Sequence, residues 1–246
     1  MGSPIKDLID KVMLSHPLLS IVIPVFNEQF NVKPLVDAIE NHLSVYTYEL
    51  IFIDDCSTDG TRQSIQSILN PNLILIAFDQ NKGQSSALAA GIQRSKGPFI
   101  VTMDGDLQND PRDIPKMLRL IQNENWDMVI GYRENRQDSL LKTLPSKIAN
   151  YIIRVTTRLQ VSDSGCALKV MTSETAKNIP LYDELHRFMA LHAHLNGARI
   201  KEIPIIHHPR IYGVSKYGLE RTYTVLKDLV SIIFKHKWSK FNGAGA

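Results

Sequence analysis

The chain has 246 residues, 43% of them hydrophobic, and a formal net charge of +3. That is too apolar for a disordered chain, and long enough for one large α/β domain or two small ones. Its two cysteines, Cys56 and Cys166, exclude a disulfide framework and lack metal-ligand spacing, which points to a reducing compartment.

The N-terminal residues do not read as a signal peptide, because Lys6, Asp7, Asp10 and Lys11 interrupt any apolar stretch. Residues 17–26 form the longest uncharged apolar run, about half of the roughly 20 residues that a membrane-spanning helix needs. The elements then follow in alternation. Leu19 to Val25 is a β-branched strand, and Asn31 to Val45 has helical spacing through Leu35, Ala38, Ile39 and Leu43. Leu50 to Ile53 is a second strand, and Asp59 is placed to cap a helix running toward Leu69. Leu73 to Ala77, Phe99 to Met103 and Met128 to Ile130 are further strands, separated by helices over Gln84–Arg94 and Ile114–Asn123.

The second half is less regular. Leu140 to Leu159 reads as a basic helix, Ala167 to Met171 as a strand, and Glu184 to Gly197 as a helix ended by glycine. Ile200 to His207 is a strand broken by Pro204, which suits a sheet edge. A loop through Pro209, Gly213 and Gly218 leads into a long amphipathic helix, Leu219 to Trp238. The expected class is α/β: a Rossmann-like, mostly parallel sheet with helices on both faces. The expected division is an N-terminal extension (1–17), a catalytic domain (18–218), a C-terminal amphipathic helix (219–240) that either lies on a membrane surface or packs on the core, and a tail (241–246).

In such sheets ligands bind beyond the carboxyl ends of the strands. Asn27-Glu28, Asp54-Asp55 and Asp104-Gly105-Asp106 each follow a strand, so all three gather at one edge. Two carboxylates one residue apart repel in a shared apolar space, and a divalent cation relieves that repulsion. Mg2+ and Mn2+ favour carboxylate oxygens and complete their shells with water and phosphate. Gln108 offers a further neutral oxygen, and Gly105 leaves the backbone open to a ligand. Basic residues cluster later in the chain: Arg210, Lys216, Arg221, Lys227, Lys235, Lys237 and Lys240 face only Glu220 and Asp228 in their stretch, which implies an anionic partner. Neither an aromatic stacking platform nor a groove-reading helix accompanies them, so nucleic acid is not expected. His186, His192, His194 and the pair His207-His208 lack metal-ligand geometry, and Cys166 reads as a small buried residue.

Val22 to Glu28, Ile51 to Gly60, Asn81-Lys82-Gly83 and Asp104 to Gln108, in that order, resemble the family 2 glycosyltransferases of the GT-A fold. Gly131-Tyr132-Arg133, Asp163 to Cys166, His186-Arg187-Phe188 and Arg210 to Lys216 narrow the resemblance to the polyprenyl-phosphate branch, which holds dolichyl-phosphate mannose synthase and bacterial undecaprenyl-phosphate relatives. The resemblance implies inverting transfer of a hexose-type sugar, from GDP-mannose or a UDP-sugar, to a polyprenyl phosphate at the cytoplasmic face of a membrane, with Mg2+ or Mn2+. It implies nucleotide-sugar contacts at Pro24, Phe26, Glu28, Ile53, Asp55, Lys82, Asp104, Gly105 and Asp106. The metal falls to Asp104, Asp106 and Gln108, and the donor and acceptor phosphates to Arg133, Arg210 and Lys216. Catalytic roles fall to Asp106, Asp163 and Arg133. Asp163 either orients a basic residue or the sugar, or serves only as a turn residue. A soluble or polysaccharide acceptor, a non-catalytic nucleotide-sugar-binding subunit, and a homo-oligomeric assembly all stay open at this stage.

Overall fold

The structure is a computed structural model that describes residues 17–134, 153–157, 159–183, 185–212, 228–232 and 234. Its centre is one seven-stranded sheet ordered β3-β2-β1-β4-β6-β5-β7. The strands are β1 (Leu19–Val25), β2 (Tyr48–Asp54), β3 (Leu73–Ala77), β4 (Phe99–Thr102), β5 (Met128–Arg133), β6 (Lys169–Thr172) and β7 (Ile200–Ile205). All neighbours run parallel except β6, which is antiparallel to both β4 and β5.

β1 lies between β2 and β4, and helices cover both its faces, so its sequence is apolar without alternation. Pro24 is tolerated in this central strand because pairing with β4 stops at Val22. Beyond that point a missing N–H leaves no ladder bond unmade. Pro204 sits in β7, the edge strand, as its sequence implies.

Helices cover both faces: α1 (Val32–Leu43), α2 (Thr61–Gln66), α3 (Gln84–Arg94), α4 (Ile114–Glu124), α5 (Ser173–Lys177) and α6 (Met189–Leu195). On one face Leu35, Ile39, Met117 and Leu118 pack over Ile21, Ile23 and Phe52; on the other Ala87, Leu88, Ile92 and Leu191 pack over Val22, Ile51, Ile53 and Met128. α2 stops short of Leu69, which is fully exposed and has nothing to pack on. Asp59 caps α2 from one residue outside it, accepting from Thr61 N at 2.9 Å. The helix expected over 184–197 starts as a 3-10 turn, Leu185–Phe188, before α6. The expected helix 140–159 lies outside the described residues up to 152; 153–157 is helical. Of the expected C-terminal helix only 228–232 and 234 are described. Leu229 and Ile232 join the core there, while Val230 and Phe234 are exposed. No helix among the described residues is long and apolar enough to cross a membrane.

Gly91 allows α3 to approach the sheet. A Cβ there would strike Val22 Cγ1 and come within 2.6 Å of Ile53 Cδ1. Alanine in a helix interior gains up to about 1 kcal/mol over glycine, whereas overpacking costs about 1–3 kcal/mol. The steric cost wins, so Gly91→Ala is expected to destabilise the fold by about 1–2 kcal/mol. Thermal unfolding checks this, since an unchanged or raised Tm would mean that the helix moves off the sheet without cost.

Candidate active site

Three loops at the carboxyl edge are stitched together by side chains. Asn27 takes a positive φ of 56° as the chain leaves β1, and its Oδ1 accepts from Thr58 N at 2.8 Å. Glu28 N donates to Thr61 Oγ1 at 2.7 Å. Asp55, just past β2, accepts from Lys82 N at 2.7 Å and Gly83 N at 2.9 Å, which fixes the start of α3 beside the end of β2. The Lys82 ammonium lies over the Phe78 ring, 4.8 Å from its centroid.

The acid pair sits where β4 ends. Asp104 Oδ1 accepts from Gln84 Nε2 at 2.8 Å, and Asp106 Oδ1 accepts from Gln108 N at 3.1 Å. Burial, then the Asp106 charge, push the Asp104 carboxyl up to about 6 against the opposing charges of Lys169, Arg133 and Arg210. The pair is therefore short of positive charge. Among the described residues no cluster of three His, Cys, Asp or Glu forms. A carboxylate pair of this kind suits Mg2+ or Mn2+, which draw their remaining ligands from neutral oxygens, water and substrate phosphate.

Arg210 reaches this site from 104 and 182 positions away in sequence. Its Nη2 donates to Asp106 Oδ2 at 2.6 Å and its Nη1 to Glu28 Oε1 at 3.3 Å. The segment that carries it is laid against the loop after β4. Asn109 bridges His207, His208 N donates to Gln108 O at 2.9 Å, Ile206 N donates to Asp113 Oδ2 at 2.7 Å, and His208 Nε2 lies 3.0 Å from Asp110 Oδ2. Sequence reading missed Asp110, Asp113 and Gln84, because their roles depend on partners that only the fold supplies.

Arg133, at the end of β5, meets Asp163 as a two-pronged pair. Nε donates to Oδ2 at 2.7 Å and Nη2 to Oδ1 at 2.9 Å. Asp163 thus pairs with a basic residue through both carboxylate oxygens, and its backbone closes the turn to Cys166 N at 3.1 Å. Beneath this pair Lys169 is 3% exposed and donates from Nζ to Cys166 O. Burial pushes its ammonium below the usual lysine range. A lysine inside the apolar run Ala167 to Met171 was the available sequence signal for it.

Several sequence expectations change. Ile53 is fully buried against α3 and has no side-chain surface to offer a nucleotide. Gly105 is also required by packing, because a Cβ there would lie 2.6 Å from Val25 Cγ1. Gln108 directs its amide nitrogen to His208 O at 3.3 Å, which ties it to the 206–210 segment through the nitrogen and not through the oxygen expected to face a metal. Pro24 and Phe26 are partly exposed at the same edge, as expected of residues lining it. Lys216, with Gly213 and Gly218, lies outside the described residues. Burial pushes the Cys166 thiol up to about 11, which removes it as a nucleophile. His186 ties the 3-10 turn to α3, with Nδ1 2.9 Å from Ser85 Oγ.

The family model described as Glycosyl transferase family 2 matches residues 20–175. Dodecaprenyl-phosphate galacturonate synthase of Rhizobium johnstonii is 40% identical over 224 residues, covering 88% of this chain and 66% of that protein. Undecaprenyl-phosphate 4-deoxy-4-formamido-L-arabinose transferase of Yersinia pestis is 34% identical over 227 residues, covering 89% and 69%. The chain thus spans about two thirds of the length of these curated relatives. Among solved structures, glucosyl-3-phosphoglycerate synthase from Mycobacterium tuberculosis with bound UDP superposes with a TM-score of 0.71 at 17% identity, over 95% of this chain and 85% of that one. The same enzyme with Mn2+, UDP and glucosyl-3-phosphoglycerate gives 0.70 at 15% identity, over 96% and 85%. At such identity the likeness is one of fold, and it is the GT-A fold. With well over half its length inside the family match and a curated relative at 34% identity covered over 69% of its length, the chain belongs to glycosyl transferase family 2.

Proposed function

We propose that the protein transfers a sugar, with inversion, from a nucleotide diphosphate donor to a polyprenyl phosphate, working as a peripheral protein at the cytoplasmic face of a membrane. One observation carries this reading. Asp163, the acid to which the family resemblance gives a catalytic role, is already committed through both oxygens to Arg133. A hydroxyl acceptor must lose its proton to attack, so its transferase needs a base. A phosphate monoester has a second pKa of about 6 and is mostly dianionic at neutral pH, so it needs a positioned cation instead. Arg133 fits that role through its planar fork.

In the proposed reaction an acceptor phosphate oxygen attacks the anomeric carbon as the bond to the donor diphosphate breaks. The bonding pair leaves on the diphosphate and no proton moves. Arg133 holds the acceptor, and Arg210 turns from the acids toward the leaving diphosphate, with Lys216 assigned to the same phosphates from its motif. A Mg2+ or Mn2+ ion on Asp104 and Asp106 supplies Lewis-acid neutralisation of that diphosphate. Glu28, Asp55 and Lys82 keep the nucleotide end in register. The two relatives' acceptors support the polyprenyl phosphate, and the galacturonate named for one of them is the first sugar to test.

The test is a panel of UDP- and GDP-sugars, including UDP-galacturonate and GDP-mannose, offered with undecaprenyl and dolichyl phosphate, with and without Mn2+. One pair is expected to yield a lipid-linked monosaccharide that depends on the metal. If every pair fails while a hydroxyl acceptor is glycosylated, the acceptor assignment is wrong.

A further inference from the structure

Asp163 can aim Arg133 only if the turn that carries it is itself held. The Glu202 side chain grips it from outside the motif. Glu202, near the middle of edge strand β7, accepts from Asp163 N at 2.8 Å and from Ser162 N at 2.9 Å through Oε1. Its Oε2 takes Ser162 N at 3.0 Å and Ser162 Oγ at 2.7 Å. The turn closes on itself through Cys166 N to Asp163 O at 3.1 Å, and Lys169 Nζ grips its far end at Cys166 O. Glu202 therefore sits one step behind Asp163, which sits one step behind Arg133. In register, Glu202 pairs with Ile130, three residues before Arg133 on the neighbouring strand, so the same strand pair that carries Arg133 also carries the group that fixes its partner.

We propose that Glu202 is a positioning residue for transfer. By gripping the backbone of residues 162–163 it sets Asp163, and through Asp163 it sets the angle at which Arg133 meets the acceptor phosphate. This rests on the proposed role of Arg133 in holding that phosphate. A purely structural carboxylate on an edge strand would affect folding, or donor and acceptor alike. A positioning one acts on the acceptor half alone, because the donor contacts arise from β1, β2, β4 and the Arg210 segment.

The chemistry of the contacts separates geometry from charge. A glutamine at 202 keeps an oxygen for both backbone N–H groups, and its amide nitrogen can donate to Ser162 Oγ, which switches from donor to acceptor. Glu202→Gln is therefore expected to behave within about threefold of wild type, and Ser162→Ala likewise. Glu202→Ala leaves the turn unheld on that side, and a displacement of order 1 Å at a reacting group lowers the rate by up to about a hundredfold. The full chain is assayed with undecaprenyl phosphate, and binding of UDP and GDP with Mn2+ is measured by calorimetry. The expected result is at least a tenfold loss in kcat/KM for the acceptor in Glu202→Ala, restored in Glu202→Gln, with nucleotide affinity unchanged. Equal losses in Gln and Ala variants, or a parallel loss of nucleotide binding, would overturn it. Crystal structures of the Ala variant read the same claim without any acceptor. Displacement of the Asp163–Arg133 pair supports it, and an unmoved pair refutes it even if the wild-type protein proves to use a different acceptor.

Discussion

Alanine at position 106 is expected to cut turnover by at least about a thousandfold while the protein still folds. The site explains both halves of that expectation. Asp106 is one of two carboxylates at the end of β4, and its Oδ2 anchors Arg210 at 2.6 Å. Without it a metal held by the proposed pair would lose one of its two carboxylates, and Arg210 loses its 2.6 Å partner at the site. Stability responds differently. Asp106 helps push the Asp104 carboxyl up to about 6, so removing it relieves a repulsion. Against this stand the lost bonds to Arg210 and Gln108 N, the first on a residue that still has Glu28. These opposing changes leave Tm within a few degrees of wild type. Asp106→Asn separates charge from shape, since the amide oxygen can still accept from Gln108 N. It is expected to be as inactive as alanine and to lose the rise in Tm that Mn2+ gives the wild type. Turnover by the asparagine variant would assign Asp106 a structural role.

Most of the strands could be read from the sequence because they are continuous apolar runs, and β1 and β3 begin and end where the apolar residues do. The edge at which Glu28, Asp55, Asp104 and Asp106 meet was equally legible, because parallel strands send all their carboxyl ends one way. What the sequence did not carry was pairing at a distance. Nothing in Lys169 to Thr172 announces that this strand inserts antiparallel between β4 and β5, yet that placement brings Lys169 beneath the acids. Nothing near Asp110 or Asp113 announces that they hold the backbone and His208 of a segment almost a hundred residues later. Ile53 looked like a ligand contact because it precedes Asp55 in a recognisable motif. Both faces of β2 are covered, so its side chain lies in the core. Local propensity fixes elements, while the partners of charged side chains depend on topology.

Arg210 shows what that dependence means for function. Its guanidinium bridges Glu28 and Asp106, so a protein cation already occupies one oxygen that a divalent ion would use. On the proposed function the two would compete, and a bound donor would resolve the competition by offering the guanidinium phosphate oxygens in exchange. Arg210→Lys keeps the charge but replaces a rigid fork by a single point donor that cannot span both acids. It is expected to lose about a hundredfold in kcat/KM, and Arg210→Ala about a thousandfold, through lost stabilisation of the departing diphosphate. The alanine variant also leaves Glu28 and Asp106, 8% and 5% exposed, without their guanidinium partner. That uncompensated charge lowers stability in the absence of metal. Mn2+ then restores more than it adds to the wild type, because nothing competes for Asp106 Oδ2. Thermal shift across a Mn2+ titration measures this, and the expected order of stabilisation is Arg210→Ala above wild type. Should the Mn2+ shift be the same in both, Arg210 and the metal would occupy separate positions and the competition would not exist. Full activity in Arg210→Lys would show that charge alone suffices and that the fork geometry is incidental.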